Sequence, residues 1–133
     1  LIPTHLLIAL ALTTNPRHES EVPAIVAVPV AKKLVAEGGA RLVDVRTPEE
    51  YAQKHIDGAI NIPIDELEFR FDELLPKNLP LVVYCASGVR AAYAAKLLKA
   101  AGFTDVYNLG AMSRWNEKKA PKPGRELVRT GNQ

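Results

Sequence analysis

Apolar and polar positions fall in repeating blocks along this chain. Short runs of β-branched and aliphatic residues recur, separated by stretches with helical spacing or turn chemistry. Residues 24–28 predict a strand. Pro29 opens a helix to Glu37, stopped by Gly38 and Gly39. Residues 41–45 predict a second strand, and Pro48 starts a short helix over 48–53. Residues 59–61 predict a small strand ended by Pro63. Asp65 is expected to cap a short helix over 65–69, followed by a turn or second short helix through Leu75. The unbroken run Leu81-Val82-Val83-Tyr84 predicts a central strand. Over 89–101 the pattern predicts a helix whose Ala91, Ala94, Ala95, Leu98 and Ala101 form a packable face, ended by Gly102. Residues 105–108 predict the last strand and 111–118 the last helix.

Four- and five-residue strands rich in Val, Ile and Leu, separated by helices, argue for an α/β fold. Its central sheet is mostly parallel and covered on both faces, giving three α/β/α layers. In such sheets ligands bind beyond the carboxyl ends of the strands. Cys85 lies at one such end, and Asp44 and Arg46 at another. Two strands therefore deliver polar residues to one edge.

A chain of 133 residues that is 47% hydrophobic and 24% charged is long enough for one domain with its own core. Residues 1–21 read as an apolar segment and linker, 22–118 as the domain, and 119–133 as a basic tail. The apolar run 6–12 is too short to span a bilayer. Ala9-Leu10-Ala11 resembles a cleavage site, but a basic leader is missing, so an added structural segment is favoured. A cytoplasmic location is expected, with the periplasm as the alternative if residues 1–12 are a signal segment. The net charge of +2 is slight, and Lys118, Lys119, Lys122 and Arg125 read as a solvated tail rather than a nucleic-acid surface. A monomer is expected. With a single cysteine there is no internal disulfide, and His5 and His18 lie outside the domain, so no metal site is expected.

That cysteine carries the chemistry. Cys85 sits where the strand breaks into Ala86-Ser87-Gly88-Val89-Arg90, ahead of the alanine-rich helix. A free thiol ionises near pH ~8.5, and a helix N-terminus with a nearby cation favours its anion. The amides of Ala86, Ser87, Gly88, Val89 and Arg90 are expected to converge as an anion-binding nest. Gly88 tolerates positive φ, Ser87 is placed to cap the helix or add a hydroxyl, and Arg90 offers a fork of donors to an oxyanion. These residues describe a nucleophile beside an anion site.

Three segments then resemble the rhodanese family of sulfurtransferases. Leu42-Val43-Asp44-Val45-Arg46-Thr47-Pro48-Glu49-Glu50-Tyr51 resembles its first signature. His55-Ile56-Asp57-Gly58-Ala59-Ile60-Asn61-Ile62-Pro63 resembles its second, and Cys85-Ala86-Ser87-Gly88-Val89-Arg90 its active-site loop. The likeness extends over about 25–118. A Gly-Gly usual in the family before the last helix stands here as Gly110-Ala111, a mild departure.

The resemblance implies a rhodanese fold with Cys85 as nucleophile. It implies that Cys85 takes sulfane sulfur from thiosulfate or another small donor as a persulfide. Cyanide, a low-molecular-weight thiol or a protein thiol would accept it. No metal or organic cofactor is implied. By position, Asp44, Arg46 and His55 belong to the region supporting the loop, and the stretch from His55 to Asn61 to the wall that organises it. Asp44 is expected to hold the loop through backbone hydrogen bonds. Arg46 is either an ion-pairing residue or part of the pocket rim, and His55 is structural rather than a base. Trp115, Tyr84 and Tyr93 are expected to pack. Two alternatives stand beside this reading: a non-catalytic binding or regulatory module, and a phosphatase or arsenate reductase. The second is disfavoured because only four residues separate Cys85 from Arg90, a cradle with room for one sulfur atom that crowds a tetrahedral phosphoryl group.

Overall fold

The computed structural model describes residues 23–116, so the segment 1–21 and the tail 119–133 lie outside the described residues. In chain order the elements are α1 (Val28–Glu37), β1 (Arg41–Asp44), α2 (Pro48–Gln53) and β2 (Ile60–Asn61). Two 3-10 turns, Ile64–Phe69 and Phe71–Leu74, lead to β3 (Leu81–Cys85), α3 (Val89–Ala100) and β4 (Val106–Ala111). A last 3-10 turn spans Met112–Asn116. The strands form one parallel sheet in the order β2-β1-β3-β4, with Asp44 opposite Tyr84 and Cys85 opposite Ala111. This is the three-layer α/β/α arrangement expected from the strand pattern.

Alternation along the strands divides the interior in two. Val43, Val45, Val83 and Cys85 face α3 and the two middle 3-10 turns, packing with Leu67, Ala91, Ala94, Ala95 and Leu98. Leu42, Val82 and Tyr84 face the other way, against Val28 and Ala31 of α1 and against Ile56 and Ala59 before β2. Four alanine and leucine positions of the expected α3 face, Ala91, Ala94, Ala95 and Leu98, are fully buried. Small side chains there let the helix lie close over the central strand.

Several elements differ from their sequence pattern. The strand expected over 24–28 is a single parallel bridge between Ile25 and Asn108, because Val28 already belongs to α1. The helix expected over 65–69 is a 3-10 turn following Pro63, with no side-chain cap from Asp65. The last strand runs on to Ala111 through a bulge at Leu109, opposite the Val83–Tyr84 step of β3, and the helix expected over 111–118 becomes the 3-10 turn Met112–Asn116. The bulge has a local cause: Gly110 adopts φ 85°, and its amide donates to the buried Asn108 Oδ1 at 2.9 Å. Tyr93 is 56% exposed rather than packed. Trp115 is half-buried, against the α1 side of the sheet, with Lys32 Nζ 5.2 Å from its ring centre.

Candidate active site

β3 ends on Cys85, which is fully buried. Its Sγ accepts hydrogen bonds from the amides of Gly88 at 3.0 Å and Ala91 at 3.2 Å. The intervening turn is made possible by Gly88, which sits at φ 109° just before α3. A Cβ at Gly88 would lie 3.8 Å from the Gly110 Cα, so the thiol loop rests against the bulge of β4. Ala86, Ser87 and Val89 are exposed, and Gly88 and Arg90 half-buried. Of the five amides expected to form a nest, Gly88's donates to the sulfur. Ala91, one residue beyond the expected set, supplies the second donor. Ser87 does not cap α3: the position before the helix is Gly88, with no side-chain cap bond.

Arg90 does not stand free over the loop. Its Nη1 and Nη2 donate to Glu50 Oε1 and Oε2 at 2.8 and 3.1 Å, a bidentate pair. Glu50 is also the third residue of α2, where it closes a capping box: the Glu50 amide donates to Thr47 Oγ1 at 3.1 Å, and Glu50 Oε1 accepts from the Thr47 amide at 2.9 Å. Arg90 first, and the Thr47 amide second, hold the Glu50 carboxyl down at about 2. Arg90 is shifted upward, chiefly by Glu50, with a smaller contribution from the Cys85 charge.

Asp44 and Arg46 form a buried pair beneath the loop, on the sheet face away from the Cys85 side chain. Arg46 Nη2 lies 2.6 Å from Asp44 Oδ2, and the Arg46 amide donates to Asp44 Oδ1 at 2.9 Å. The same Nη2 donates to the Lys54 carbonyl at 2.7 Å, tying β1 to the end of α2. Hydrogen bonding to Asp44 raises Arg46 above its ordinary value. The Tyr84 hydroxyl donates to Asp44 Oδ2 at 2.7 Å and accepts from the Ile56 amide at 3.1 Å. Burial pushes that phenol upward, out of any physiological titration. Asn61 completes the brace, its Nδ2 donating to the carbonyls of Asp44 and Arg46 at 3.0 Å each. His55 lies apart from the thiol, stacked on Tyr51 with ring centres 3.7 Å apart and with Nδ1 2.8 Å from the Tyr51 carbonyl.

The sequence pattern named the thiol loop, Asp44, Arg46 and the stretch from His55 to Asn61, but not Glu50 or the Tyr84 hydroxyl. The Thr47-to-Glu50 spacing is a readable capping signal. Its reach to Arg90, 40 residues on, is not. Among the described residues no three His, Cys, Asp or Glu side chains cluster closely enough to hold a metal ion. No helix among them is long and apolar enough to cross a membrane.

Comparison with known proteins gives the family. The sequence profile of the Rhodanese-like domain matches residues 28–118. The human thiosulfate:glutathione sulfurtransferase is 38% identical over 109 residues, spanning 71% of this chain and 95% of that protein. The thiosulfate sulfurtransferase PspE of Escherichia coli is 42% identical over 71 residues, 53% of this chain and 68% of the relative. Among solved structures, the human single-domain sulfurtransferase TSTD1 aligns with a TM-score of 0.63 and 36% identity, over 72% of this chain and 97% of that one. The chain belongs to the rhodanese family. Membership supports sulfurtransferase chemistry of that general kind.

Proposed function

We propose that the protein moves sulfane sulfur from thiosulfate or a persulfide donor to a thiophilic acceptor through a persulfide on Cys85. The observation that carries this reading is the sulfur of Cys85 held at the carboxyl end of the central strand by the Gly88 and Ala91 amides. Two N–H donors stabilise negative charge on that atom without a general base. The Cys85 thiolate attacks the outer sulfur of thiosulfate, the Sγ–S bond forms, the donor S–S bond breaks, and sulfite leaves with the bonding pair. The persulfide then gives its outer sulfur to cyanide, forming thiocyanate, or to a thiolate, forming a new persulfide, and the Cys85 thiolate returns. The chain has one cysteine, so the acceptor is external.

The test is intact-mass analysis after incubation with thiosulfate, followed by thiocyanate release on adding cyanide, with Cys85→Ala in parallel. Gain of one sulfur atom, lost with cyanide and absent in the variant, is the expected result. Folded, reduced protein that takes sulfur from neither thiosulfate nor an alkyl persulfide would overturn the reading in favour of a binding module.

A further inference from the structure

Between Cys85 and Arg90 the loop carries one charged side chain, that of Arg90. Both terminal nitrogens of its guanidinium are engaged by Glu50. Glu50 is itself anchored, since Oε1 also accepts from the Thr47 amide at 2.9 Å and from Thr47 Oγ1 at 3.2 Å. The carboxylate therefore belongs to the first turn of α2 and is not free to follow Arg90. An anion reaching for that guanidinium meets a neutralised pair backed by a fixed negative charge. The other arginine of the supporting region, Arg46, is 5% exposed and committed to Asp44. Beside the loop, the first turn of α3 exposes two apolar side chains, Val89 and Tyr93, one turn apart and 75% and 56% exposed, with the exposed Lys96 following them along the helix.

We propose that Glu50 sets donor selectivity, disfavouring dianionic thiosulfate and favouring alkyl persulfides, which carry little charge beside the transferred sulfur. This rests on the sulfur-transfer reading above. With thiosulfate, three negative charges meet at the loop, one on the thiolate and two on the donor, and sulfite leaves with two. With an alkyl persulfide anion only two meet, and an alkanethiolate leaves with one. In both cases the Cys85 Sγ–S bond forms and the donor S–S bond breaks. The Gly88 and Ala91 amides serve either donor, whereas extra positive charge would help thiosulfate most. Val89 and Tyr93 offer contact surface to an alkyl body rather than to sulfite.

Glu50→Gln tests this, because glutamine keeps the oxygen acceptor of the capping box while removing the charge. Sulfur gain on Cys85 is followed in single turnover with thiosulfate and with 2-hydroxyethyl persulfide, at low and high ionic strength. The variant is expected to use thiosulfate about three- to fivefold more efficiently at low salt, through a lower half-saturating concentration rather than a faster maximal rate. Its use of the persulfide should change by less than about twofold, and the thiosulfate gain should shrink at high salt. A merely structural Glu50 would slow both donors together. That result, or weaker use of thiosulfate by the variant, would overturn the proposal. Calorimetric binding of thiosulfate to Cys85→Ser, with and without Glu50→Gln, reads the same electrostatics without turnover. Tighter binding with the second substitution supports the role of Glu50, and unchanged or weaker binding overturns it. Tightening without sulfur gain from either donor would leave the charge effect intact and sink the sulfur-transfer reading alone.

Discussion

Tyr84 and Cys85 are consecutive on β3 and send their side chains to opposite sides of the sheet. The Tyr84 hydroxyl bonds Asp44 Oδ2 at 2.7 Å, while the Cys85 sulfur takes the Gly88 amide at 3.0 Å. One strand end is thereby tied below to a buried polar brace and above to the thiol loop.

Tyr84→Phe keeps the ring and removes the brace's hydroxyl. The Ile56 amide, which donates to that oxygen at 3.1 Å, is left without its acceptor. We expect a loss of about 1–3 kcal/mol in unfolding free energy, read by urea denaturation. Sulfur loading should persist, since Tyr84 does not touch Cys85 Sγ. Complete loss of loading in the folded variant would show that the brace controls the loop more tightly than packing requires.

Asp44→Asn leaves Arg46 charged and buried beside a neutral partner. Breaking a buried pair in this way costs about 3–5 kcal/mol. The variant is expected to show a clearly lowered thermal midpoint. A midpoint near that of the wild type would mean that solvent reaches the Arg46 guanidinium despite its 5% exposure.

Gly88→Ala separates backbone strain from crowding. A Cβ there meets nothing closer than 3.8 Å, but the backbone lies at φ 109°. The expected cost is about 1–3 kcal/mol of stability from conformation alone. Sulfur loading should fall about tenfold as the Gly88 amide shifts from Sγ, short of the full loss of a donor. Equal loading rates would show that the Ala91 amide suffices.

The pair between Glu50 and Arg90 has a defined pH window. Glu50 is held at about 2 in the fold, against an ordinary 4.5. A folded value below the unfolded one means that the pair stabilises above pH 4.5 and loses that contribution as pH falls toward about 2. Both side chains are about one-third exposed, which limits the effect at neutral pH to about 1 kcal/mol or less. Denaturation of wild type and Glu50→Gln should show a constant gap at neutral pH that closes within that window. A gap that stays open at the acid end would place its origin elsewhere than in this carboxyl group.

The parts of the molecule legible in the sequence are those set by short-range pattern. Leu81-Val82-Val83-Tyr84 followed by a small-residue loop and an alanine-rich face marked β3, the thiol and α3, because burial on both sheet faces leaves a continuous apolar run. Tyr84 read as packing alone, since an apolar run hides a hydroxyl whose acceptor, Asp44, lies 40 residues away. Arg90 read as an anion ligand for the same reason: its partner on α2 is set by how the helices settle over the sheet edge. The extension of β4 to Ala111 depends on Asn108 turning its own side chain onto the Gly110 amide, a local bond that competes with the helix suggested by the following residues.

The position of Ala91 gives the thiol a second duty. Ala91 is the third residue of α3, and its amide is one of those a helix leaves without an internal acceptor. Gly88, at the head of the helix, has no side chain to satisfy it, and Cys85 Sγ does so from six residues upstream. The nucleophile is therefore also the helix's cap, and reactivity and secondary structure share one atom. Replacing it with alanine removes both at once, so a stability measurement on that variant reports the cost of an uncapped helix as well as of a missing thiol.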